Sequence, residues 1–212
     1  MAFTTRAAAR AIGAGSLLVV VLAACGGAGA SEKAATTTTR VGSTMTIEAG
    51  TVTVESAGAP LGLADADRDA VVETVRRYVK AATVDPLLGE GVGDLAPLLA
   101  ATVGSGLTPA DRAALVDEGL PESTGTVEAV VAPVVLTALA DRAGAIDLVG
   151  AGLDVTVTAK TARGPVVVHR AGELILVRDG AAWRIESFRL LVDRSGRGLS
   201  GGGATTATQG NS

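Results

Sequence analysis

The hydrophobic period of the chain changes partway along its length, and that change predicts the fold. Val71, Val72, Val75, Val79 and Ala82 recur at helical spacing, which predicts a helix over roughly residues 65–82. Asp65, Asp67 and Asp69 crowd its start, where the helix dipole favours negative charge. A second, short helix is expected from Asp94 to Val103. Thr108-Pro109-Ala110-Asp111 opens a third: Thr108 can cap it, Pro109 suits the first helical position, and Gly119 is expected to close it.

From Thr124 onward a period of two takes over. Thr126–Leu139 is rich in valine, and Ile146–Thr161 contains the alternation Leu153, Val155, Val157. Arg163-Gly164 turns into a strand at Pro165–His169, which Glu173–Val177 continues after a break at Ala171-Gly172, read as a bulge. Asp179-Gly180 signals a hairpin, and Trp183, Ile185, Phe188, Leu190 and Val192 supply the last strand, with Trp183 expected in the core. Upstream, Met45, Ile47, Val52 and Val54 flank Ala49-Gly50 and read as a hairpin over 44–55. Helices followed by strands predict an α+β fold, with N-terminal helices packed on a curved antiparallel sheet of about four to six strands. Residues 44–194 are read as one domain. The Gly/Ser/Thr-rich stretch 195–212 is expected to be disordered.

The beginning of the chain follows a different pattern. Arg6 and Arg10 precede an apolar run from Ala11 to Ala24, shorter than the roughly 20 residues a membrane helix needs. A basic start and a short apolar core read as a secretory signal peptide over 1–24. Leu22-Ala23-Ala24-Cys25 then resembles the lipobox of bacterial lipoproteins. That resemblance implies cleavage before Cys25, a lipid on its sulfur, and a location on the outer face of the cytoplasmic membrane. The competing reading is an ordinary signal peptide with an incidental cysteine. Cys25 is the only cysteine, so no disulfide within the chain is possible. Residues 25–43 would then be the lipidated cysteine and a flexible Gly/Ala/Thr tether, whose run Thr36–Thr39 also suits O-glycosylation.

Composition narrows the partners. Two of the 18 basic residues precede Cys25 and none of the 22 acidic ones does, so the remainder carries a net charge of −6. A chain that acidic, with 2% aromatic residues, lacks the basic surface and stacking platforms that nucleic acid requires.

The run Glu173–Ile185, with its Asp179-Gly180 turn and Trp183 ahead of an alternating strand, resembles the final hairpin of the nuclear-transport-factor-two-like superfamily. In element order the resemblance extends over residues 64–194. It implies a cone-like domain in which a long helix closes a curved sheet. The 44–55 segment departs from that pattern. The superfamily includes hydratases, isomerases, dehydratases and non-catalytic modules, so the fold alone leaves the activity open.

Candidate chemistry is sparse. His169 is the only histidine, and a general base near its natural pKa would need a carboxylate beside it. Glu128, Asp147 and Asp154 are the candidates, with Asp154 the most suggestive because it follows the glycine-rich bend at Gly150–Gly152. His169 and Asp154 are therefore the residues expected at any pocket, against the simpler reading that strand alternation turns both outward. Asp65–Asp69 begins like a calcium loop, but Ala70 and Arg76 stand where glycine and glutamate belong, and the helix would be interrupted. Neither Gly89–Gly93 nor Gly150–Gly152 continues as a phosphate loop, and Gly104-Ser105-Gly106 lacks nucleophile-elbow spacing. With one histidine and a lipid-bearing cysteine, zinc and Cys/His catalysis find no ligand set, and no cofactor is expected. A Ser–Lys dyad through Lys80 or Lys160 has no supporting pattern. Glu73 and Arg77 stand at ion-pair spacing on the first helix.

Two functions remain. One is a non-catalytic interaction or accessory module, lipid-anchored to the membrane and serving an envelope protein. The other is a carrier or sensor of a small apolar ligand or lipid, held in a cone-shaped pocket.

Overall fold

The computed structural model describes residues 42–56, 62–197, 199 and 205–209. Its strands are β1 (Ser43–Met45), β2 (Ala49–Glu55), β3 (Val127–Val131), β4 (Val134–Ala140), β5 (Ile146–Thr161), β6 (Gly164–Asp179), β7 (Ala182–Gly196) and β8 (Thr205–Gln209). They form one strongly curled mixed sheet, and helices fill its concave side, giving an α+β cone-like fold.

Strands β5, β6 and β7 are the antiparallel backbone of the sheet, paired along most of their length. β3 and β4 both pair with β5, at Val155–Thr158 and Ile146–Gly152 respectively, so together they occupy one position in the sheet. Pro133 separates them because proline offers no N–H to the ladder. The edge position is shared in the same way by β1, parallel to β3, and β2, parallel to β4. The expected 44–55 hairpin is therefore corrected. Its halves do not pair with each other, and Ala49-Gly50 belongs to β2 rather than to a turn. The tail expected to be disordered also contributes β8, which pairs with Phe188–Val192 of β7.

On one side of β5 the strands are interrupted at Thr46–Glu48 and at Ala132-Pro133, whereas β5 pairs with β6 without a break, and Ala171-Gly172 of β6 pair with Leu191 and Leu190. Gly172 has φ +143°, and a Cβ there would lie 2.0 Å from the Arg189 carbonyl oxygen, so only glycine lets β6 and β7 approach this closely. β6 itself runs unbroken through this point. The irregularity in its pairing with β7 lies beyond it, where Ile175 faces Ser187 but Leu176 faces Ile185, leaving Glu186 as the extra residue.

Alternation sorts the side chains. Leu136, Val149, Leu153, Val157, Val166, Val168, Leu174, Trp183, Ile185 and Leu190 point into the concave side and are buried. Helix α1 (Asp65–Val79) lies against them with Val71, Val75, Tyr78 and Val79. It does not stop at residue 82. A π-helical stretch, Lys80–Val84, and a last α-turn, Asp85–Leu87, carry it further. The expected helix over 94–103 is split instead: a 3₁₀ turn holds Ala96–Leu98, Leu99 extends to bridge Ile185, and α2 (Ala101–Gly106) follows. α3 (Pro109–Leu115) has the expected start. Thr108 accepts the Asp111 N–H and Asp111 accepts the Thr108 N–H. It ends before Gly119, because Val116 is already extended.

Candidate functional site

Under the sheet lies a buried ionic cluster. Arg170 sits on β6 in register with Val166 and Val168, so alternation turns it inward, and it is 0% exposed. Its Nη2 donates to Asp117 Oδ2 at 2.7 Å, and its Nη1 donates to the Tyr78 hydroxyl at 2.7 Å and to the Ala114 and Leu115 carbonyls. Asp117 is itself 1% exposed. It also accepts from Thr83 Oγ1, and from Arg194 Nε at 2.6 Å. The Tyr78 hydroxyl donates to Leu115 O at 3.0 Å.

The π-helical stretch explains how this cluster meets the helix. Widening the turn leaves carbonyls free for outside donors. Ala82 O accepts the Asp117 N–H and Ala81 O accepts the Gly93 N–H, each at 2.9 Å. The cluster thus ties the long helix, the end of α3, β6 and β7 together. Burial pushes the Tyr78 phenol up to about 12, against the opposing pull of Arg170. Burial alone would lower the pKa of Arg170, but Tyr78 and Asp117 outweigh it and raise it. Arg170 Nε is buried without a hydrogen-bond partner. With the Asp117 carboxylate engaged by three side-chain donors, the arrangement is a clamp rather than an acid–base pair.

His169 and Asp154 do meet: Nε2 lies 3.0 Å from Oδ1. They meet on the convex face, with side chains 41% and 63% exposed, which corrects their expected place at a pocket. Strand alternation put them there, as the simpler reading held. Glu128 is exposed on β3, and Asp147 reaches Arg178 at 3.6 Å. Lys80 pairs with Asp85, not with a serine. Glu73 pairs with Arg76 rather than Arg77. The acidic start of α1 has a structural use. Arg68 bridges Asp65 and Asp69, while Asp67 accepts from Arg178 at 2.7 Å and from Trp183 Nε1 at 3.4 Å. The hydrogen bond from Arg178 holds the Asp67 pKa below its ordinary value. Trp183 is 3% exposed beneath the Arg178 guanidinium, 4.6 Å from its ring centre. Cys25 and the segments 1–24 and 25–41 lie outside the described residues.

Cavities of 330–470 Å³ open around the described part of the domain, and His169, Asp154, Arg170 and Tyr78 do not line these. One of them has 330 Å³. It lies between the 92–96 loop, α2 and α3, and is lined by Val92, Leu95, Leu99, Leu107, Leu115 and Val116. Among the described residues no group of three or more His, Cys, Asp or Glu could hold a metal ion, and no helix is long and apolar enough to cross a membrane.

Arg170 was within reach of the alternation rule, since it shares the parity of Val166 and Val168. Asp117 was not, because it lies in a loop without a period. No family model, no curated protein and no solved structure matches this chain.

Proposed function

We propose that this chain is an exported lipoprotein, anchored through Cys25, whose domain is a non-catalytic interaction module of the cell envelope. The observation that supports it is where large apolar side chains remain exposed. Among the described residues five large apolar side chains are exposed, and four of them, Val130, Val135, Leu139 and Leu191, 42–63% exposed, project from the convex face of the sheet, while Val52 lies on the helical side. Leu139, Leu148 and Val177 line up on the convex face across three strands. Exposed apolar surface concentrated on one face is characteristic of a contact surface. The filled concave side agrees with a domain that acts through its outside.

The test is site-specific photo-crosslinking in intact cells, from a reactive residue at Leu139 and, as control, at Arg77 on the helical side. Adducts from position 139 and none from 77 support the reading; an anchored protein with no adduct from 139 overturns it. The anchor has its own test. Cys25→Ala should abolish acyl labelling and partition into detergent, and a variant that still partitions and migrates as the mature form would refute it.

A second reading, a carrier or sensor of a small apolar ligand, is favoured by the 330 Å³ cavity, whose size falls at the lower end of the ~300–1,000 Å³ typical of ligand sites. In that reading the ligand would lie beside the helices, not inside the cone.

A further inference from the structure

We infer that the cavity between the 92–96 loop, α2 and α3 takes a single-chain alkyl carboxylate, with its chain among the leucines and its headgroup on Arg112. The inference rests on the apolar-ligand reading and names its ligand class. The cavity wall is aliphatic and has no aromatic ring, so it fits a flexible chain better than a planar ring that needs stacking. Its volume of 330 Å³ suits one alkyl chain of medium length.

The walls are held in place. Gly93 is pressed against the long helix, where a Cβ would lie 2.8 Å from that of Ala81, and its N–H is bonded to Ala81 O. Leu99 is bridged to Ile185, and the Ala100 N–H donates to Ile185 O at 2.9 Å. Two charged residues line the cavity, Asp94 and Arg112. Asp94 is occupied locally, its Oδ1 accepting the Ala96 N–H at 3.0 Å. Arg112 uses Nε on Glu118 Oε1 at 2.9 Å. Neither of its Nη atoms has a partner among the described residues, and together they form the planar fork that carboxylates match. Arg112 is 63% exposed, and with Glu118 on its Nε edge the fork of its Nη atoms is left to meet an anionic headgroup.

Gly104 provides the way to test this. It lies in the cavity wall in helical backbone, and a Cβ there meets nothing within 4 Å. Gly104→Leu should therefore be accepted without a clash and leave melting undiminished, so a side chain added at the cavity wall can be assayed in folded protein. The full chain carrying Cys25→Ala is titrated calorimetrically with decanoate, decanol and decyltrimethylammonium, each below its micelle concentration.

Decanoate should bind about tenfold more tightly than decanol, the difference a charged hydrogen bond supplies, and the cation should bind most weakly. Arg112→Gln should erase the preference for decanoate over decanol, and Gly104→Leu should weaken both by tenfold or more. If decanol binds as well as decanoate, or Arg112→Gln changes nothing, the carboxylate inference is overturned while the apolar-ligand reading stands. If none of the three binds, or Gly104→Leu binds all of them unchanged, the reading itself falls.

Discussion

His169 and Arg170 are neighbours on β6, and they lead opposite lives. The histidine faces solvent and makes one exposed contact with Asp154, Nε2 to Oδ1 at 3.0 Å. The arginine faces inward and joins a cluster in which it and Asp117 are almost wholly buried. One step along a strand changes the face, and with it the surroundings of the charge. Outside, water competes for the contact, and even a fully charged exposed pair contributes at most about 1 kcal/mol. Inside, each charge depends on its partners, because an orphaned buried ion costs several kcal/mol. The residue that attracts attention in the sequence is the lone histidine. The residue on which the fold depends is the arginine beside it.

The contrast can be broken, most directly at Asp117. Asp117→Ala leaves Arg170 and Arg194 facing each other without their shared acceptor, and should cost about 3–5 kcal/mol or prevent folding. Denaturant titration measures it, and a loss below 1 kcal/mol would mean that the cluster is not the clamp described. Trp183→Ala tests the same inner face at an apolar position. It should also cost about 3–5 kcal/mol, in line with truncation of other buried tryptophans, and unchanged melting would place Trp183 at the surface.

Tyr78 sharpens the comparison through pH. It is the only tyrosine, so near-ultraviolet absorbance titrates it directly. Its phenol should ionise at about 12 in the folded protein, against 10.0 ordinarily. Because the unfolded chain loses this proton first, the contribution of Tyr78 to stability is intact below pH 10 and declines as pH rises from 10 to 12. An ordinary titration midpoint in folded protein would show that the interior is wet. The smallest effect belongs to the outer face. His169→Ala should change stability by less than about 0.5 kcal/mol and leave any activity of the chain untouched. A folded His169→Ala protein that fails to restore a deletion strain would return catalysis to consideration.

The same two faces show what a sequence can disclose. Periodicity marked β5 over the whole of Ile146–Thr161, because each residue in a long strand repeats the same inside–outside choice. The start of α3 was legible because Thr108, Pro109 and Asp111 act on backbone atoms within one turn. Arg170 was legible too, had parity been weighed above residue type. What escaped depends on partners far away in the chain. Nothing near Met45 or Val52 says that their strands run parallel to β3 and β4 instead of folding on each other. The extension of the long helix through Lys80–Val84 depends on contacts with Asp117 and Gly93, which no local pattern at 80–84 reveals. The meeting of His169 and Asp154 followed from pairing between β5 and β6. That it happened outside followed from which face the helices cover.

The parallel edge also sets an order of events. Ser43 pairs with Val127 and Glu55 with Leu139, partners separated by about 80 residues of chain, so these contacts close a long loop at high entropic cost. Synthesised from its N-terminus, the chain delivers β1 and β2 before any strand exists to receive them. They must wait, unpaired, while α1 and the helices after it emerge, and they can dock only once β3 and β4 have been laid against β5. The first strands made are therefore among the last to settle, and a slow refolding phase that is lost when residues 43–55 are deleted would be the kinetic signature of that wait.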